Sequence, residues 1–348
     1  MTWTAATTDR PRTPVSRASA RAAAARPAVV RGVVLGPVLA LALLAGAPAN
    51  VRAQTLEAVE DACVVAGGDA DACTVAAVAA RSLAGHLGTL SAFGSHVPGT
   101  ASTVGRRIGS APRVSASLRA GGLNAGLPDV TDPSGTAESR FFAPVVHLGV
   151  AAGVFDGFSP MPTVGGLLSL DLFGQAGFLS LPRDDGFSGG VRVLALGARV
   201  GILRESFTLP GVSVSVARHW PQRVRLDGPD PDEPVGLVLD AAITSVRMTV
   251  GKDLLGVGVL AGAGWDDHSA DATLRVSDGG TGRAVAQGVL EAGRRSYFVG
   301  ASKSFIVVQI SAEAGWVGGF GPVDGLTDAA FDPAGGSLFG SVALRFTP

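Results

Sequence analysis

From about Arg113 to the end, apolar side chains alternate with small or polar ones at every second position, and short connections alternate with long ones. A repeat of two sends successive side chains to opposite faces of a strand, so each segment has one greasy face and one polar face. Leu168, Leu170 and Leu172 enclose Ser169 and Asp171, and Val246, Met248 and Val250 face away from Ser245, Arg247 and Thr249. The last segment sets Val342, Leu344 and Phe346 against Ser341, Ala343 and Arg345. Residues 191–203 alternate less cleanly, as a bulge would make them. Tight turns are expected near 204–205, 251–253 and 302–304, with a longer one at 155–162. Between them lie polar, Gly/Pro/Asp-rich stretches at 121–140, 174–188, 221–236, 266–293 and 317–335, which are expected to be loops.

Several segments reach the roughly 9–11 residues that a membrane-spanning strand requires, against about five or six for an ordinary strand. Trp220, Trp265 and Trp316 each end a segment that runs away from a short turn, while Phe346 and both lysines, Lys252 and Lys303, lie near the short-turn ends. Amphipathic rings favour the boundary between hydrocarbon and water, so these positions form an aromatic girdle. The expectation is an all-β fold, an antiparallel transmembrane β-barrel over residues 112–348. Ten strands account for the segments, or twelve if 270–290 or 99–108 supplies another pair.

The preceding chain differs. Six arginines lead into an apolar block at 32–47 that ends in small residues, which reads as a signal peptide over 1–53, cut between Ala53 and Gln54. No apolar run approaches the roughly 20 residues of a spanning helix. Residues 54–111 form a helical and extended segment, placed in the periplasm or as a plug. Leu56, Val59 and Cys63 recur at helical steps, Gly67-Gly68 breaks the run, and Asp69 or Asp71 caps a second helix. Cys63 and Cys73, alone in an exported chain, are expected to form a disulfide. Residues 93–112 allow a linker, an extra strand or a segment tucked into the lumen. Gly256, Gly258, Gly262 and Gly264 leave one wall bare, as space for another element.

With these features the chain resembles bacterial outer-membrane β-barrel proteins over residues 112–348. Its last strand, ending in Phe346, is similar to the strand that the class's assembly machinery recognises, although Thr347 and Pro348 follow it. The resemblance implies an outer-membrane location, with membrane lipid and the assembly machinery as partners, and a small solute or lipid as possible cargo. A net charge of -1 gives no pull toward nucleic acid.

The inward faces are expected to line the lumen with Arg113, Arg119, His147, Asp171, Arg247, Gln309, Glu313 and Arg345. In a narrow barrel such groups form a charge-paired interior more readily than an open channel. The chain is read as non-catalytic, structural or handling a small solute or lipid, with no metal and no cofactor. Two alternatives belong to other classes. Asp266 and His268, with Asp184 and Asp185 in another loop, resemble the layout of omptin surface proteases, in which such groups activate water. The other alternative is a soluble periplasmic β-protein. The Gly-x-Ser-x-Gly match at 186–190 lacks the strand–turn–helix elbow of a nucleophile.

Overall fold

The computed structural model describes residues 56–105, 112–130, 137–159, 165–183, 186–187, 189–227, 235–278, 282–320 and 331–348. Two helices, α1 (Leu56–Val65) and α2 (Ala70–Ala92), precede eleven strands. These are β1 (Val114–Pro128), β2 (Glu138–Phe155), β3 (Ser169–Ser180), β4 (Gly190–Leu203), β5 (Gly211–Pro221), β6 (Val224–Asp227), β7 (Val235–Leu254), β8 (Val257–Ser277), β9 (Arg283–Phe305), β10 (Val308–Val317) and β11 (Ser337–Phe346). Every neighbour is antiparallel; β1 pairs with β11, and β5 pairs with β7, so the sheet closes. Because β5 and the short β6 both pair with β7, they form one interrupted stave, and the barrel has ten.

One of the expected long loops, 266–293, is largely strand. Residues 266–277 and 283–293 continue β8 and β9 as one ladder to Ser277↔Arg283, so they lengthen an existing hairpin and add no pair to the count. Two of the three tight turns lie three or four residues further on than expected, at 255–256 and 306–307, and the third is a longer connection over 204–210. Strands β4 and β5 shift register between Gly201 and Leu203, which is the irregularity expected in that segment.

Polarity changes side along the barrel. Below the tryptophans the inward positions of β7 are Ser245, Arg247 and Thr249; above them they are Leu237, Leu239 and Ile243. On β8 the inward series passes from Asp266 and His268 to Ala270, Ala272, Leu274 and Val276. Outward, Leu148, Leu196, Met248, Val299 and Leu344 are exposed in the lower part, whereas Asp267, Asp271 and Arg275 are exposed above. The lower part is therefore solvated by hydrocarbon and the upper part by water. Trp220, Trp265 and Trp316 sit at the change, 44%, 46% and 43% exposed, and Phe346 lies at the opposite end. Tyr297 stacks on Trp316 with centroids 6.4 Å apart, which thickens the girdle.

Inside the upper part lies α2. Asp69 caps it by accepting from the Ala72 N–H at 3.1 Å, while its own N–H donates to the Ser277 carbonyl at the far end of β8. Almost every residue of α2 from Ala72 onward is buried. Small residues make this possible: a Cβ on Gly85 would lie 2.0 Å from the Phe320 ring, and one on Gly88 2.3 Å from the His268 ring. The apolar inner wall and the helix form one core, joined at its edge by α1 through Val59 and Cys63. Cys63 and Cys73 are bonded, with Cα atoms 5.8 Å apart, which ties α1 to α2.

The two-residue turns carry strain at Leu255 (φ 59°) and Ile306 (φ 49°), both fully exposed. A β-branched side chain is poorly suited to the left-handed region. Ile306→Gly should therefore raise stability by about 1 kcal/mol, seen as a higher temperature for loss of the compact form in gel mobility; an unchanged or lower temperature would refute this.

Candidate functional site

Residues 93–105 form a strap that leaves α2 at Ala92 and runs down the polar lumen. It ends at Gly105, beside Asp156 and Arg204 at the short-turn mouth. Irregular backbone at membrane depth is tolerated only where protein satisfies its N–H and C=O groups. Three guanidinium–carboxylate pairs on the wall do so. Arg119 bonds Glu313 at 3.2 Å and donates to the carbonyls of Phe93 (2.8 Å) and Ser95 (2.7 Å); Glu313 in turn accepts from the Ser95 N–H (3.0 Å) and hydroxyl. Arg247 bonds Asp266 at 2.9 Å and donates to Ala92 O and Gly94 O. Arg199 bonds Asp171 at 2.7 Å and donates to Thr100 O, while Asp171 accepts from the Val104 N–H at 2.9 Å.

Between these pairs, both ring nitrogens of His96 are held by hydroxyls, Ser215 and Ser245, each at 2.8 Å, and Ser245 also meets His219 at 2.8 Å. Gln309 and Ser302 donate to Gly99 O, and Gln175 to His96 O. The strap is thus bonded to the wall along most of its length. Gly94 is required where it passes Glu313: its φ is +66°, and a Cβ there would lie 2.2 Å from Oε2.

Of the residues expected to line the lumen, Arg119, His147, Asp171, Arg247, Gln309 and Glu313 are buried inside the barrel. His147 stacks on Phe93 of the strap. Arg345 is half-buried, and Arg113, just before β1, is exposed at the short-turn mouth. The bare glycine wall is filled from the side: Phe298 covers Gly262, Arg247 covers Gly264 and Ser302 faces Gly258, while Gly256 belongs to a turn. The roles of Arg199, His96, His219, Ser215, Ser245 and Arg294 went unrecognised in the sequence. Arg199 sits in the irregular strand, and Arg294 in a stretch taken for loop whose two-residue repeat continues with its polarity reversed.

Asp266 and His268 are on β8 and not in a loop. Both point inward and are 1% exposed; Asp266 is committed to Arg247, and His268 lies against Gly88 beneath α2. Water does not reach between them in this arrangement. Asp184, Asp185 and Ser188 fall outside the described residues, as do the signal peptide and its cleavage point.

His86, on the α2 face toward β1, bonds the Gly126 carbonyl through Nε2 at 2.8 Å. Burial first, and then the charge of Arg294, push its pKa down to about 3, partly offset by the bond to Gly126. A histidine kept neutral when folded contributes full stability above its unfolded pKa of about 6.5, and loses about 1.4 kcal/mol per pH unit as pH falls from there toward 3. Between pH 6.5 and 4 the native protein should thus lose stability more steeply than His86→Gln, measured by thermal melts of the detergent-solubilised barrel; equal slopes would refute the assignment.

No family model matches the chain, and no curated relative does. Solved structures do match. The translocator domain of the autotransporter NalP from Neisseria meningitidis is 14% identical, covering 69% of this chain and 89% of that one, at a TM-score of 0.38. The outer membrane protease OmpT from Escherichia coli is 10% identical over 68% of this chain and 96% of that one, at 0.36. The transport unit of the Escherichia coli autotransporter AIDA-I is 9% identical over 77% and 98%, at 0.30. At these values the likeness says nothing of role. On its closed ten-stave sheet, outward apolar belt and aromatic girdle, this chain is a β-barrel of the outer-membrane class.

Proposed function

We propose that the protein is a self-sealed, non-catalytic barrel of the outer membrane, exported through a signal peptide cleaved after Ala53 and inserted by the assembly machinery through its terminal strand. Its role is structural, and any small solute or lipid passes only when the protein's own N-terminal segment gives way. The observation that carries this reading is the strap. Glu313, Asp266 and Asp171 each pair with an arginine, and each pair also holds strap backbone. A freely conducting pore would keep those charges for water and ions.

In planar bilayers the intact protein should show no steady conductance, whereas the barrel lacking residues 54–104 should conduct. Persistent open steps from the intact protein would overturn the reading. The protease alternative has no observation in its favour here, since α2 covers His268.

A further inference from the structure

Above the girdle the barrel wall has a notch. Strand β1 pairs with β11 only as far as Leu123↔Phe339, yet β1 continues to Pro128, paired on its other side to β2. Among the described residues, the edge of residues 124–128 therefore has no strand on the β11 side. A cavity of about 650 Å³ lies there. Its deep end is formed by His86, Arg294 and Phe320, and its rim includes Phe141, Phe142 and Leu338. Phe142 and Leu338 point outward, 60% and 64% exposed, and Leu338 pairs with Trp316 of the girdle. The notch thus leads from the outer membrane boundary to the buried head of α2.

The deep end carries an unmatched polar group. His86 is 5% exposed, its Nε2–H is given to Gly126, and its Nδ1 has no partner among the described residues. A neutral imidazole has one donor and one acceptor, so Nδ1 presents a lone pair that calls for a donor. Beside it, Arg294 is fixed by bonds from Nε to Gly318 O (2.7 Å) and from Nη1 to Thr89 Oγ1 (3.3 Å), with Phe320 packed 4.4 Å from its guanidinium carbon. Those bonds use two of its five N–H groups among the described residues.

We propose that this notch binds an amphiphile with an uncharged hydroxyl head and a hydrocarbon tail, taken from the outer leaflet. One hydroxyl oxygen accepts from Arg294 while its O–H donates to His86 Nδ1. The tail leaves over the outward-facing Phe142 and Leu338, down to the girdle at Trp316 where the leaflet begins. A carboxylate would also suit Arg294, but its lone pairs would oppose that of His86 unless the ring were protonated. Burial, and then the charge of Arg294, hold that ring neutral. The chemistry therefore selects the alcohol.

The test uses the mature protein from Gln54 onward, which lacks Trp3, in lipid nanodiscs, in a Trp220→Phe, Trp265→Phe background, with quenching of Trp316 by 11-bromoundecanol, 11-bromoundecanoate and 1-bromoundecane. The alcohol should quench saturably, with half-saturation at least tenfold below that of the acid or the alkane. His86→Leu and Arg294→Met should each raise it at least tenfold. Leu338→Arg, at the rim and outside the fold's core, should weaken binding in the same way if either inner variant fails to assemble. Non-saturating quenching of equal strength by all three probes would mean simple partitioning and would overturn the site. Preference for the acid would overturn the hydroxyl head. Equally tight quenching by water-soluble 3-bromopropanol would overturn the leaflet as the source.

Discussion

Arg247→Leu should be the most damaging single change in the lumen. The guanidinium is 1% exposed and serves five acceptors: Asp266, the carbonyls of Ala92 and Gly94 where the helix becomes the strap, and those of Val246 and Trp265 on the wall. Leucine fills a similar volume but leaves Asp266 charged and buried, and strands the carbonyls of Ala92 and Gly94 at once. Breaking a buried pair on one side costs about 3–5 kcal/mol, because the remaining charge is uncompensated. The compact form should be lost at a markedly lower temperature in gel mobility, and the strap should become cleavable by protease. The partner change decides the cause. If the stranded charge dominates, the Arg247→Leu, Asp266→Leu double variant should be more stable than the single one; if the double variant is as damaged or more so, the lost strap bonds outweigh the charge.

Gly153→Val should unseat the strap and leave the barrel standing. A Cβ at Gly153 would lie 1.8 Å from the Gly105 carbonyl oxygen, 2.5 Å from its carbon and 2.8 Å from its nitrogen. All three atoms are backbone, so no side chain can swing aside, and the strap itself must move. That movement removes the Val104 N–H to Asp171 bond and the Thr103–Ser169 contact. Leaving such buried groups unpaired costs about 1–3 kcal/mol each. Gly153 lies near the end of β2, where the β2–β3 register already shifts, so the sheet has room to absorb the side chain. The expected result is a barrel that still migrates as a folded species but shows conductance steps in bilayers. A silent barrel with wild-type stability would show that the strap does not need that close approach.

Both predictions depend on groups that the sequence exposes unequally. Arg119, Asp171, Arg247 and Glu313 could be placed inside because each sits on the polar beat of a strand whose other beat is greasy. What they bind could not, because their partners are main-chain atoms of residues 92–104, and backbone carbonyls leave no mark in a sequence. Ser95 and Gly94 look like ordinary members of a Gly/Ser stretch; only their contact with Glu313 gives them a role. The Asp266–His268 pair misled for a related reason. Polar outward residues such as Asp267, Asp271 and Arg275 made the upper strands look like loop, although Ala270, Ala272, Leu274 and Val276 kept the beat on the inward side.

The sequence alone determined the barrel, its girdle and the direction in which most side chains point. Those follow from a two-residue repeat read against hydrocarbon, which is a local property of each strand. Tertiary structure alone decided that water replaces lipid above the tryptophans and that an alanine-rich helix fills the resulting apolar core. It also decided that the chain's own backbone neutralises the lumen. Each of these depends on which distant segment arrives at a given wall, and a repeat fixes the face of a residue without fixing what it will meet.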